Sequence, residues 1–342
     1  MADFYYYNLN MVCSKINPTD PDVIAQFNEY QSTNLVDDGT NYYFSIVRFT
    51  LSSNNIPILI PSVTSGDTLS YGMMMNYNNG ATVSDPTYLQ YVCRNKYGAG
   101  SQYYWIFNIQ DVVDMVNVCF ASCMSNITGK NSAITAHAPK MVYNGTGSNT
   151  FSIYYDSAFF GNNLSVFFND DLYNLFRNFN MSFISNGGFN YQMIVSNKMS
   201  NTATLSGVDY LIETQNYPSI SNWSPVSSIQ FISNIGVLRE YISDAQILNG
   251  TNATLGTSSN QTQQIITDLS LPIDNPMDYN SFITYSPSTF RYSVLSNTEI
   301  RQVDMLVYWK DKYGKSYSVM LSDGDYCTVK IMFRKKTSMI GA

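Results

Sequence analysis

Val303-Asp304-Met305-Leu306-Val307-Tyr308-Trp309, followed by Asp311-Lys312-Tyr313-Gly314 and then Tyr317-Ser318-Val319-Met320-Leu321, is the stretch that decides the fold. The first run is β-branched and aromatic, the second has the glycine and charges of a turn, and the third returns with strand character. Asp323-Gly324 turns the chain again, into Cys327-Thr328-Val329-Lys330-Ile331-Met332-Phe333. Three short strands joined by tight turns predict an antiparallel meander over residues 303–333.

Working outward, the same pattern recurs upstream. Tyr43-Phe44-Ser45-Ile46-Val47-Arg48-Phe49-Thr50-Leu51 is apolar on even and odd positions alike, as in a strand buried on much of both faces. Ile56-Pro57-Ile58-Leu59-Ile60-Pro61 follows; its prolines cannot donate to a ladder, which predicts a place at a sheet edge. Residues 62–101 are rich in Gly, Asn and Ser and read as long loops with short strands. Further strands are predicted at 103–107, 151–155, 165–168, 191–195, 208–213 and 229–232. Two helices interrupt them. Val112, Met115, Val116, Cys119, Phe120 and Cys123 recur at three and four, marking an amphipathic helix that begins near Asp111. A shorter one is predicted at 170–179, with Asp170 and Asp171 at its positive end.

Residues 1–40 mix aromatics with turn formers and read as an extended N-terminal arm, with one helical turn over 23–30. Residues 249–264 are polar and of low complexity, which predicts an exposed loop. Together these readings predict an all-β chain: an antiparallel β-sandwich of jelly-roll type with long loops, one or two short helices and an inserted β subdomain. A single jelly roll takes roughly 150–200 residues, near the usual domain size. The surplus places an insertion or tower somewhere within residues 60–230 of a 41–340 domain.

Composition bears on function. Hydrophobic residues make up 44% of the chain and charged residues only 13%, against about 25% charged in ordinary domains. Asn alone is roughly one residue in nine, though it is not among the commonest residues of such domains. A surface hydrated by amides and hydroxyls offers little charge repulsion between copies, which suits self-association. An A/T-rich genome would also raise Asn and Tyr, but would raise Lys with them, and Lys is not abundant here. The net charge is −7 and the chain opens on the aromatic, nearly uncharged Met1-Ala2-Asp3-Phe4-Tyr5-Tyr6-Tyr7-Asn8. Without a basic arm, direct nucleic-acid binding is not expected. Arg334-Lys335-Lys336 is the one cationic cluster, read as a solvated end of a strand in preference to a phosphate contact.

Catalytic patterns are missing. His137 is the single histidine and lacks the neighbours of a triad. No phosphate loop is present. Asp37-Asp38, Asp170-Asp171 and Asp323/Asp325 read as turn and capping residues in preference to an acid/base pair or a cation site. Trp105, Trp223 and Trp309 could act as sugar platforms beside two carboxylates, but two of them sit in predicted strands, where core packing is the default. Cys13, Cys93, Cys119, Cys123 and Cys327 do not describe a disulfide framework, and with one histidine no zinc site is expected. Neither a signal peptide nor an apolar stretch of ~18 residues is seen. No catalytic, cofactor-binding or metal residue is therefore assigned.

Four places carry a family resemblance. They are Tyr42-Tyr43-Phe44 leading into Ser45–Phe49 and Ile56-Pro57-Ile58; the 111–123 helix with Val116-Asn117; Val166-Phe167-Phe168-Asn169 leading into Leu172-Tyr173-Asn174-Leu175-Phe176; and Tyr308-Trp309-Lys310-Asp311-Lys312-Tyr313-Gly314 ending in Lys330-Ile331-Met332-Phe333-Arg334-Lys335-Lys336. In this order, over residues 41–336, the chain resembles the penton-type minor capsid proteins of virophages and Polinton-like viruses. That resemblance implies a jelly-roll virion protein, a homo-oligomer that closes as a pentamer at a capsid vertex and meets a neighbouring major capsid protein. It carries over no catalytic residue; the cysteine usage and the lack of a signal peptide or apolar stretch read as a chain made in the host cytoplasm, not secreted and without a membrane span.

A cyclic assembly needs a heterologous interface, and interface cores favour Tyr, Trp and Met. Phe4, Tyr5, Tyr6 and Tyr7, together with Arg334, Lys335 and Lys336, are the candidate inter-subunit contacts; the plain alternatives are a disordered terminus and a solvated tail. Three other readings remain open at this point. They are a virion spike or receptor- or carbohydrate-binding sandwich, a single-jelly-roll major capsid protein, and a β-sandwich hydrolase.

Overall fold

The computed structural model describes residues 4–17, 20, 22–78, 80–92, 104–145, 147–159, 164–195, 201–205, 207–233, 235, 240–242, 247–249, 252–254, 261–263, 265–270, 282–295 and 299–336. Contacts divide the chain into two units. Residues 1–57 and 225–342 form most of the first, and 58–94 with 102–224 form the second.

Eight strands organise the first unit: β1 (Phe4–Val12), β2 (Gln26–Tyr30), β3 (Tyr42–Ser52), β4 (Val226–Ile232), β5 (Ile265–Ser270), β6 (Phe282–Tyr285), β7 (Gln302–Asp311) and β8 (Tyr326–Lys335). They pair in two antiparallel sheets, ordered β1-β8-β3-β6 and β2-β7-β4-β5. First beside last and second beside next-to-last, in two facing sheets, is the strand order of a jelly roll. The chain leaves this unit after β3 and returns to it at β4. Alternation, reset by the irregularity at Val47 opposite Lys330–Ile331, buries Phe44, Ile46, Phe49 and Leu51 of β3, and Phe231 of β4 and Trp309 of β7 are buried as well. Phe49 and Phe231 meet edge to face at 4.8 Å, joining the two sheets.

Several expectations are corrected here. Residues 23–30 are not a helical turn: Val23–Ile24 pairs with Met320–Leu321, and β2 pairs with the start of β7. The buried Phe27 between exposed neighbours shows the period of two that decides it. Within the first forty residues, β1 is laddered to β8 along its whole length, from Phe4–Arg334 to Val12–Tyr326. The meander also differs. β7 does pair with its neighbour Ser316–Ser318, but β8 crosses to the other sheet, between β1 and β3. Residues 56–61 form a buried connection with one bridge, Leu59 to Ile106, and residues 104–107 share only that bridge. Of residues 249–264, Asn249 ends the strand Ile247–Asn249, Asn252–Thr254 and Gln261–Gln263 are strands, and the others lie outside the described residues.

The second unit has a sheet ordered 182–183, 191–194, 165–168, 68–77 and 63–65, and another ordered 201–205, 208–214, 150–156 and 140–144. The Tyr155 hydroxyl donates to Met193 Sδ and so connects the two. Thr68–Tyr77 is a ten-residue strand within the stretch read as mostly loops. Helix α1 (Ile109–Lys130) is 22 residues long, not short. Asn108 caps it by accepting from the Gln110 amide at 2.9 Å, with Asp111 in the first turn and Lys130 in the last. Asn117 on α1 bonds both backbone groups of Met141, at 3.0 and 2.7 Å, and so holds the strand Lys140–Asn144. Helix α2 (Asp170–Leu175) is capped by Asn169, which also accepts from the Gly72 amide and donates to the Ser70 carbonyl. Phe151, Phe176 and Trp223 close this unit's aromatic core, with Phe151 stacked on Trp223 at 5.3 Å. Among the described residues no helix is long and apolar enough to cross a membrane.

Candidate subunit-contact surface

Along β1 the side chains alternate. Tyr5, Tyr7, Leu9 and Met11 turn inward, and Phe4, Tyr6, Asn8, Asn10 and Val12 turn outward. Phe4, Tyr6 and Val12 keep 42%, 56% and 69% of their surface exposed. On β8 the buried residues Cys327, Val329, Ile331 and Phe333 alternate with Thr328, Lys330 and, beyond the buried Met332, Arg334. A register shift after Lys330 sets it directly across from Arg48 of β3. Register sets three successive rows across this side of the sheet: Phe4, Arg334 and Tyr43; Tyr6 beside the buried Met332 and Ser45; and Asn8, Lys330 and Arg48.

The cations of this face lie on aromatic rings. Lys330 Nζ sits 4.6 Å from the Tyr6 ring centre. The Arg334 guanidinium lies 5.4 Å from Phe4 and 5.7 Å from Tyr292, and donates to the Tyr292 hydroxyl at 3.0 Å. Lys336 Nζ is 5.3 Å from the Tyr43 ring and donates to the Thr40 carbonyl. Such contacts contribute roughly 0.5–1 kcal/mol each at exposed sites. The four strands hold Arg48, Lys330, Arg334 and Lys335 and no carboxylate. The opposite sheet mixes signs, with Asp268, Asp304 and Lys310 on its strands. Among the described residues neither Lys330 nor Arg48 pairs with an acid, although like charges facing each other across a ladder are destabilising.

The structure therefore unites the two groups of candidate contacts, which lie at opposite ends of the sequence. Phe4 is the register partner of Arg334, and Tyr5 of Phe333. Tyr5 packs edge to face on Tyr42 and Tyr7 accepts from Gln31 Nε2, so these two support the face from beneath. Lys335 sits opposite Tyr42 at the end of the ladder. Sequence reading missed Arg48, Lys330, Tyr43 and Tyr292. Only the alternation of β8 gave a local sign of Lys330 pointing outward.

The other chemistry-bearing residues have structural roles. Asp38 accepts from the Thr40 amide, Asp323 from the Lys15 amide and Asp325 from the Ser322 amide. Trp105, Trp223 and Trp309 are buried and offer no platform to a sugar. His137 Nδ1 lies 2.7 Å from Asp156 Oδ2, a partner that sequence spacing did not indicate. Burial opposes the Asp156 carboxylate, but the His137 and Ala158 amides and the His137 ring outweigh it and hold its pKa below the usual value. No nucleophile joins this pair among the described residues. Burial pushes the Cys119 and Cys327 thiols up to about 12, so both remain protonated and inert. Cys93 lies outside the described residues. Among the described residues no group of three or more potential ligands could hold a metal ion.

Comparison with known proteins gives a consistent result. The model of the family "Sputnik minor capsid protein V18/19" matches residues 5–335. A curated relative, "Structural protein V19" of Sputnik virophage, is 26% identical over 132 residues, which is 38% of this chain and 57% of that protein. Among solved structures, a chain of the Sputnik virophage determined by cryo-EM superimposes with a TM-score of 0.72 at 22% identity, covering 99% of both chains. The crystal structure of the mavirus penton protein does so with a TM-score of 0.64 at 16% identity, covering 98% of this chain and all of that one. At these identities the structural likeness establishes the fold, in agreement with the jelly-roll strand order.

Proposed function

The chain belongs to the Sputnik minor capsid protein V18/19 family, and from that premise we propose that it is a penton subunit, closing as a ring of five at a capsid vertex. It is a structural protein of the virion and not a catalyst, made in the host cytoplasm without secretion. Its partners are further copies of itself and the neighbouring major capsid protein, with no direct contact to the genome.

The outward face of the β1-β8-β3-β6 sheet carries the reading. It combines exposed aromatics with the cations Lys330 and Arg334, which lie on the rings of Tyr6 and Phe4 in strands that hold no carboxylate. Interface cores are enriched in aromatic residues and Arg, and a ring needs one such face to meet a different face of the next copy. Phe4, Tyr6, Arg334, Lys335 and Lys336 are the contact residues in this reading, with Tyr5 and Tyr7 holding them from behind. Residues 1–57 and 225–342 serve as the capsid jelly roll, and residues 58–224 as an insertion carried between β3 and β4.

The test is the solution mass of the purified chain by light scattering across a concentration series. A pentamer, or a rise towards one with concentration, is the expected result. A stable trimer would point to a spike or another capsomer, and a monomer at every concentration would remove the ring from the account.

A further inference from the structure

Lys330 and Arg48 face each other across the β8–β3 ladder, and among the described residues neither pairs with an acid. Like charges so placed repel. Thr328 and Thr50 fill the next outward row, and the exposed Tyr6 carries the Lys330 ammonium on its ring. The strands around these two cations hold no carboxylate. This part of the sheet is basic and partly aromatic, with no acid of its own.

The far end of the same sheet has the reverse character. Beyond β1 the Cys13 amide donates to the Asp325 carbonyl at 2.8 Å, and the Gly324 amide donates to the Cys13 carbonyl at 2.9 Å. Carboxylates gather at this junction. Asp323 accepts from the Lys15 amide, Asp325 from the Ser322 amide and Asp20 from the Asn17 amide. Asp22 is buried in an ion pair with the Lys15 ammonium and also accepts from the Ser322 hydroxyl. Burial raises the pKa of the Cys13 thiol, Lys15 opposes the rise, and Asp22, Asp323 and Asp325 add to it, so these three carboxylates share one small region. Four carboxylates against one ammonium leave a surplus of three negative charges. Asp268 and Glu299 of the same unit are instead matched singly, by Arg291 and Arg301. Exposed aliphatic side chains flank the acids along the chain at Val12, Ile16, Val23 and Ile24, and Ile16 is 94% exposed.

One copy cannot bring its two regions together. Asp325 precedes Lys330 by five residues, about 17 Å along an extended strand. Salt screens exposed charges beyond about 8 Å, so the acids do little for Lys330 within one chain. A second copy can bring opposite charges into contact. Like region against like would set equal charges together, so the favoured contact joins two different surfaces, as a closed ring requires.

We propose that the acidic end of this sheet, through Asp20, Asp323 and Asp325, docks on Lys330 and Arg48 of the next copy, with its exposed aliphatic residues beside that copy's Tyr6. This rests on the penton reading only in taking the occupant to be a second copy; the number of copies in the ring plays no part.

The test is sedimentation velocity of the purified full chain at low ionic strength, over a range of concentrations. Lys330→Glu with Arg48→Glu should weaken self-association at least about tenfold, because like charges then meet across the contact. Asp20→Lys with Asp323→Lys should do the same. All four substitutions in one chain restore opposite signs and should return association to within about threefold of the native chain. Asp20→Asn with Asp323→Asn keeps both acceptors for the backbone amides and removes only charge, so it serves if the lysine variant does not fold; it should weaken association about threefold. A fourfold variant as weak as either pair would overturn the proposal, as would reversed or neutral pairs that associate like the native chain. Pentamers that ignore charge reversal would overturn this contact and leave the ring of five standing. Dimers or hexamers that obey it would overturn the ring and leave the contact, and a monomer at every concentration would overturn both.

Discussion

The two units solve the same problem, burying a sheet's apolar face, with opposite use of the sequence. In the second unit Lys140–Asn144 turns directly into Thr150–Asp156, and Asn201–Leu205 into Val208–Thr214. Their pairing closes loops of a few residues, which costs little entropy. In the jelly roll, Phe4 pairs with Arg334, and β3 with residues from both β8 and β6. There the matching of buried faces must select the partner, because no turn connects the strands. The jelly roll should therefore be the unit that fails when any distant piece of chain is lost, and residues 58–224 the unit that survives alone.

The strongest way to break that contrast is to end the chain at residue 325. The jelly roll then loses the buried Cys327, Val329, Ile331 and Phe333 from the interior of a sheet. At about 1.5–3 kcal/mol for each large apolar side chain, this removes most of the roughly 5–15 kcal/mol that holds a domain together. Limited proteolysis should then cut residues 1–57 and 225–325 rapidly while 58–224 resists; resistance of both parts would refute the contrast. Next in size, Phe49→Ala and Phe151→Ala should each cost about 3–5 kcal/mol. In denaturant, hydrogen exchange should show the first opening only the jelly roll and the second only residues 58–224. Opening of the whole chain by either would mean one cooperative unit.

Asp156→Asn sharpens the comparison by pH. It weakens the bonds from the His137 and Ala158 amides and should cost residues 58–224 about 1–3 kcal/mol at pH 7. Because the folded pKa lies below the ordinary 3.8, the carboxylate's contribution is full above that value and is lost as pH falls through the lower, folded one. Acid titration followed by circular dichroism should show this loss in the native chain and not in the variant. A comparable effect, about 1–3 kcal/mol, is expected from Asn169→Ala, which removes the α2 cap together with the bonds to the Gly72 amide and the Ser70 carbonyl, read as a shift in the denaturation midpoint. Smallest of all, Lys330→Gln should leave stability within about 0.5 kcal/mol, since its side chain lies on the solvent face.

How far the sequence could be read follows the same divide. The stripe from Val112 to Cys123 revealed α1, but its true start needed the Asn108 cap and its end the continued burial of Met124 and Ile127. Most strands were visible from their alternation and aromatic content. Their partners were not: the Asp323-Gly324 turn suggested that β8 would lie beside residues 317–321, and the buried face of β8 was satisfied instead between β1 and β3. Both halves of the candidate contact surface stood out separately, as an aromatic start and a basic finish. Nothing local could show that Phe4 lies across from Arg334, because register over so long a separation is set only by the completed sheet.

The union of first and last strands also has a consequence on the ribosome. Phe4 leaves the ribosome 330 residues before Arg334, the difference of their positions in the ladder. At about 5–20 residues per second, roughly 16–66 s of synthesis separate them. For that interval an uncharged, tyrosine-rich strand has no partner, and crowded polysomes hold many copies of it side by side. Slower initiation, which spaces the ribosomes, or a chaperone bound near the exit tunnel should therefore raise soluble yield more than any stabilising change within residues 58–224.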